Sequence, residues 1–170
     1  MSQELLELLN NRCSVRSFLY KKVETKKIEK IIEAARVAPT ACNKQPERIV
    51  VINTNEGLEK LQKCKPQHYN EQLAFIVCYD KNECWTREYD NHNSGEVDAT
   101  ICATHMMLEA ESLGVNSTWV MYFDPQKLIN EFNINENIVP VCILVMGYKT
   151  KDYKPSPRHF ERKKQEEIII

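Results

Sequence analysis

Glycine is scarce in this chain: Gly57, Gly95, Gly114 and Gly147 are the only four in 170 residues. They stand too far apart to form G-x-G-x-x-G or G-x-x-x-x-G-K-S/T, so the glycine-rich phosphate cradles of Rossmann and P-loop folds are excluded. Any nucleotide site has to be built from side chains. An excess of one charge is also missing. Twenty-three Lys plus Arg against 24 Asp plus Glu leave a formal net charge of −1, so no global field favours nucleic acid or an acidic membrane surface. An anion site must therefore be local. A long apolar run is missing too: the longest, Ile138 to Met146, is far too short to span a bilayer. Met1 to Asn11 carries Glu4 and Glu7 among its leucines, with no basic region or cleavage site, so no signal peptide is expected and a cytoplasmic protein is. The seven cysteines are scattered, with no C-x-x-C and no zinc spacing. They are expected to be reduced thiols, mostly filling the core.

What is present is ordinary globular composition, 42% apolar and 28% charged, read as one domain over residues 1–170. Ser2 is expected to cap a short helix through Leu5, Leu6, Leu8 and Leu9, whose apolar residues read as core. Thr25 is expected to cap a second helix, where Ile28, Ile31, Ile32 and Ala35 recur at helical spacing before Pro39. Arg48 to Ile52 reads as a buried strand, Thr54 to Cys64 as a helix and Leu73 to Tyr79 as a second strand. Lys81 to Gly95 is polar and aromatic and reads as a surface excursion. A long helix follows from about Glu96 to Leu113, with the stripe Val97, Ile101, Thr104, Leu108 and a width that implies burial on two sides. Ser117 to Tyr122 reads as a strand. Asp124 and Pro125 open a helix through Leu128, Ile129 and Phe132. Ile138 to Tyr148 reads as the last strand, with Pro140 confined to its start or an edge. The tail is basic and proline-punctuated, and it ends in three isoleucines that are expected to be covered, a partner subunit being the natural cover.

Two segments could carry chemistry. Arg12, Cys13, Ser14, Val15, Arg16, if extended, puts Arg12, Ser14 and Arg16 on one face and Cys13 and Val15 on the other. Two forked guanidiniums around a hydroxyl suit a phosphate monoester, although a solvated strand edge gives the same spacing. Ala38 to Pro46 combines small residues with the amides of Asn43 and Gln45, which suits close approach to a flat heterocycle, although a plain turn has the same composition. His105 and Glu109 fall one helical turn apart but lack the third ligand a metal needs. The cations of the tail are diluted by Glu161, Glu166 and Glu167 and read as a solvated face.

Taken together these segments resemble the nitroreductase family. Arg12, Ser14, Arg16 and Phe18 match its R-x-S-x-R-x-F signature, and Ala38 through Pro46 its A-P-S/T-x-x-N-x-Q-P signature. Leu113, Gly114, Trp119, Val120, Phe123, Asp124 and Pro125 match a third segment. Gly147, Tyr148, Pro155, Pro157 and Arg158 match a fourth. The resemblance implies an α+β fold, a central and mostly antiparallel sheet flanked by helices, in an intertwined homodimer whose interface forms two FMN sites. The implied cofactor-binding set is Arg12, Ser14 and Arg16 with Arg158 from the tail at the phosphate, together with Cys13 and Gln45. Pro39, Thr40, Ala41 and Asn43 would come from the other subunit, and backbone around Val120, Met121 and Tyr122 would face the flavin N5 edge. NADH or NADPH would be the reductant and a nitroaromatic, quinone or similar small molecule the acceptor, with no catalytic side chain and no metal. The same motifs also fit a flavin-holding sensor or storage module without turnover. Met121 stands where the family often has glycine, Glu47 where an aromatic is common, and Ser156 where a lysine is often found. Lys63, Lys65, Gln67 and Asn70 are candidates for the flavin's pyrimidine edge.

Overall fold

The structure is a computed structural model describing residues 2–170, with side chains from residue 4 onward. Its elements are α1 (Ser2–Asn11), α2 (Thr25–Arg36), β1 (Glu47–Ile52), α3 (Asn55–Cys64), β2 (Leu73–Asp80), α4 (Gly95–Ser112), β3 (Asn116–Val120), α5 (Pro125–Phe132) and β4 (Ile138–Gly147). The four strands form one sheet in the order β1-β2-β4-β3, antiparallel at every pairing. This is the α+β architecture expected.

β2 reads Leu, Ala, Phe, Ile, Val, Cys without a polar interruption because it is buried on both faces. On one face Leu73, Phe75 and Val77 pack with Leu144 and Met146 of β4 against α2 and α4. On the other, Ala74 and Ile76 pack with Ile143 and Val145 against Leu61 of α3 and Leu128 of α5. Five cysteines are buried in these layers and all seven are free thiols, as expected. Pro140 lies near the start of β4, where β3 does not reach: β3 pairs only with Ile143 to Gly147. On its other side Pro140 lies opposite Cys78 of β2, next to the bulge between Val77 and Cys78, a place in a sheet that tolerates proline. Asp124 accepts a hydrogen bond from Lys127 N at 3.0 Å and Pro125 occupies the first turn, so α5 starts as its sequence requires. At the end of α4, Gly114 takes φ +70°, a left-handed turn that lets Val115 N reach Ala110 O at 2.8 Å.

Several expectations need correction. Thr25 is the first residue of α2, not its cap; Glu24 stands at the cap and makes no side-chain cap bond. The cap expected at Ser2 lies outside the described side chains. β1 is an edge strand, only half-buried before Ile52. The leucines of α1 are not core: Leu5 and Leu6 are 56% and 60% exposed. On α4 the buried stripe is Asp98, Ala99, Cys102, Ala103, Met106 and Ala110, whereas Val97 and Thr104 of the expected stripe face outward. β3 stops at Val120, leaving Met121 and Tyr122 beyond the sheet. The three C-terminal isoleucines are exposed, so nothing in this chain covers them. Among the described residues no helix is long and apolar enough to cross a membrane.

Candidate functional site

The segment after α1 runs extended beside β3. Ser14 forms a parallel bridge with Ser117, and Val15 N donates to Ser117 O at 2.9 Å. Alternation then does what its period of two demands: Cys13 and Val15 are buried, Arg12 and Ser14 are half-buried, and Arg16 is exposed. Arg36, Arg48 and Arg87 each pair with a carboxylate. Among the described residues Arg12, Arg16, Arg158 and Arg162 do not, and of these only Arg162 makes another bond, to Glu161 O at 2.7 Å. Leaving three guanidiniums uncommitted is a poor use of charge for stability and a good one for an anion.

The tail returns to the same place. Thr150 N donates to Ser17 O at 3.3 Å, and the Tyr153 hydroxyl donates to Ser14 O at 2.6 Å. Burial, with the Cys13 thiol beside it, pushes the Tyr153 hydroxyl up and keeps it a donor. Arg158 lies in the short 3₁₀ turn Pro157–His159. Pro155, His159, Phe160 and Arg162, but not Arg158, border a cavity of about 430 Å³ with Asn10 and Asn11, the residues that immediately precede Arg12. Sequence ends more than 140 positions apart are thus brought to one sheet edge.

Pro39 to Gln45 sits at the opposite edge, leading into β1. Cys42, Asn43 and Gln45 all have positive φ, near 50°, which costs each non-glycine residue roughly 1–3 kcal/mol and recurs at ligand clamps. Local bonds stabilise the bend: Asn43 N to Thr40 O at 3.0 Å, and Gln45 N to the Thr40 hydroxyl at 3.1 Å. The Gln45 amide is turned inward onto Asn43 O at 3.1 Å. A longer contact anchors the loop, Ala41 N to Asp98 Oδ1 at 2.9 Å.

Met121 and Tyr122 are 58% and 73% exposed at the end of β3. Met121 borders a cavity of about 250 Å³ with Tyr79 and Glu96, and these two also border a cavity of about 490 Å³ that reaches His92 and Ile101. The Tyr79 ring crosses the start of α4 so closely that a Cβ on Gly95 would lie 2.2 Å from it. Only glycine fits there. Of the aromatics in the excursion, Tyr89 is almost wholly exposed, whereas Trp85 is mostly covered.

Three of the four pyrimidine-edge candidates are already engaged, whereas the buried side-chain oxygen of Gln67 has no hydrogen-bond partner among the described residues. Lys63 pairs with Glu131 at 3.3 Å, and Asn70 donates to Phe18 O at 3.0 Å. Lys65 is buried against Glu71 at 2.6 Å and also donates to Gln67 O. Three residues at the site carried no sequence signal. The Ser117 hydroxyl is buried without a hydrogen-bond partner beside Ser14, and Asp98 and Ser94 meet under the Ala41 loop. Among the described residues no group of three ligating side chains could hold a metal.

The nitroreductase family profile matches residues 9–80 and 71–148. The chain belongs to the nitroreductase family. A nitroreductase family protein of Clostridium difficile 630 is 41% identical, covers 97% of this chain and 96% of its own, and superposes with a TM-score of 0.91. An NAD(P)H FMN reductase of Bacillus subtilis is 24% identical over 91% of this chain and 70% of that protein. An FMN-dependent nitroreductase of Clostridium difficile R20291, 24% identical and covering 89% and 91% of the two chains, shares the fold with a TM-score of 0.75. In this chain the two candidate segments lie at opposite edges of the four-stranded sheet.

Proposed function

We propose that this protein is an NAD(P)H-dependent FMN oxidoreductase that works as a homodimer on a nitroaromatic, a quinone or a similar small acceptor. The observation that carries the reading is the extended segment Arg12 to Arg16, bridged to β3 beside the partnerless Ser117 hydroxyl, with neither arginine paired to a carboxylate among the described residues and with the tail folded back onto Ser14 through Tyr153. A phosphate monoester matches that donor set in charge and in geometry. Kinship with an FMN reductase supports the same cofactor.

When bound, FMN supplies the transfer of hydride from nicotinamide to acceptor. The chain's own residues do the rest. Arg12, Ser14, Arg16 and Arg158 hold the phosphate; Pro39, Thr40, Ala41, Asn43 and Gln45 of the other protomer form a wall for the ring. The backbone at Val120, Met121 and Tyr122 would serve the ring's reactive edge, with Met121 bordering one of the cavities lined by Tyr79 and Glu96. The second protomer is also what the exposed leucines of α1, Val97 of α4 and the terminal isoleucines require, since such a spread of apolar surface on a monomer marks an interface.

Purified protein should be yellow, release FMN on denaturation, and lose its flavin absorbance when NADH or NADPH is added without oxygen. Menadione should then be reduced catalytically. Colourless protein that takes up no FMN would overturn the proposal; flavin that is bound and bleached but never passes electrons on would leave the storage reading in its place.

A further inference from the structure

The loop that would face the flavin ring is tied to a sequence-distant helix by one side chain. Asp98, in the first turn of α4, is 2% exposed. Its Oδ1 accepts from Ala41 N at 2.9 Å and its Oδ2 accepts from the Ser94 hydroxyl at 2.7 Å. Asp98 N in turn donates to Ser94 O at 2.8 Å. A carboxylate buried this deeply needs both oxygens satisfied, so the two bonds fix its rotamer and, through it, the height of Ala41 above α4.

What depends on that height is the run Ala41 to Gln45, whose three left-handed residues cannot hold their bend by intrinsic preference. The hydrogen bonds made by its backbone are otherwise short-range, to Thr40 and Ala41 and from Arg48. Asp98 ties the bend to the body of the molecule across 57 positions of sequence. The acidic side chain also suits the amino end of a helix, where the exposed amides favour negative charge, so the anchor is stable without a cationic partner.

Resting on the FMN reading above, we propose that Asp98, oriented by Ser94, is a positioning residue: it sets the left-handed Cys42–Asn43 bend against the flavin ring of the neighbouring protomer. It touches the loop and not the phosphate grip. Its removal should therefore weaken binding of the ring itself.

The test is flavin titration of apoprotein prepared from the full chain, with FMN and with riboflavin, in wild type, Asp98→Ala, Asp98→Asn and Ser94→Ala. Asp98→Ala should weaken both flavins by about tenfold, the worth of one lost charge-assisted bond, and should shift the visible absorption band of the bound flavin. Asp98→Asn should recover most of the affinity, because its Oδ1 can still accept from Ala41 and its amide can donate to the Ser94 oxygen. Ser94→Ala should weaken both flavins by about threefold, with the band moved in the same direction. That variant decides the matter if Asp98→Ala does not fold. Unchanged affinity and spectrum in the folded variants, or a loss seen with FMN and absent with riboflavin, overturns the assignment. Failure of the flavin reading itself looks different: wild-type protein then takes up neither flavin.

Discussion

Arg12 leaves the end of α1 half-buried, with no carboxylate to neutralise it among the described residues. A cation in that state holds a ligand better than it holds the fold. Arg12→Ala should therefore leave the melting temperature nearly unchanged and cost about 1.5–3 kcal/mol in FMN binding, the range for a hydrogen bond to a charged group; fluorescence titration measures it, and unchanged affinity rejects the phosphate role. The thiols divide as sharply. Burial pushes Cys78 and Cys102 up to about 12 and Cys142 higher still, and a thiol in that environment is neutral and inert at neutral pH. Cys42 is exposed. Ellman's reagent should modify one cysteine rapidly in the native apoprotein, Cys42→Ser should remove that phase, and the buried thiols should react only on unfolding.

Among the elements, α5 offers the cleanest local test. Asp124→Ala removes the cap on Lys127 N and should lower stability by about 1 kcal/mol, a shift of a few degrees in thermal melts followed by circular dichroism; no shift means the helix start is held by Pro125 and packing alone. The same element was fully legible, because an acidic cap and a proline in the first turn act within four residues. β2 and β4 were legible for a similar reason, since strands buried on both faces leave an unbroken apolar record. Harder cases lie where two partners compete for one pattern. α4 has small residues such as Ala99, Cys102 and Ala103 against the sheet, while its larger Val97 faces outward, so size misled the assignment of its inner face. Met121 and Tyr122 favour β structure yet lie past the last pairing, Val120 with Ile143. At the site, the alternation from Arg12 to Arg16 could be read directly. Asp98 could not, because its partner is a backbone amide 57 residues away and its position looks like any acidic residue opening a helix.

At the scale of the whole molecule, apolar surface is displayed at both ends of the chain, on α1 and at Ile168 to Ile170. Removing residues 161–170 should convert dimer to monomer and strip the flavin in the same step, as read by light scattering coupled to size exclusion. A truncated dimer that stays yellow would contradict it. The placement of the two ligand segments at opposite sheet edges has a consequence for inheritance of defects. If every pocket takes its anion grip from one polypeptide and its ring wall from the other, damage to the two features is complementary. Arg12→Ala protein and Asn43→Ala protein, each poor alone, should regain part of the activity when unfolded and refolded together. In a mixed pair one pocket collects both lesions and the other collects none.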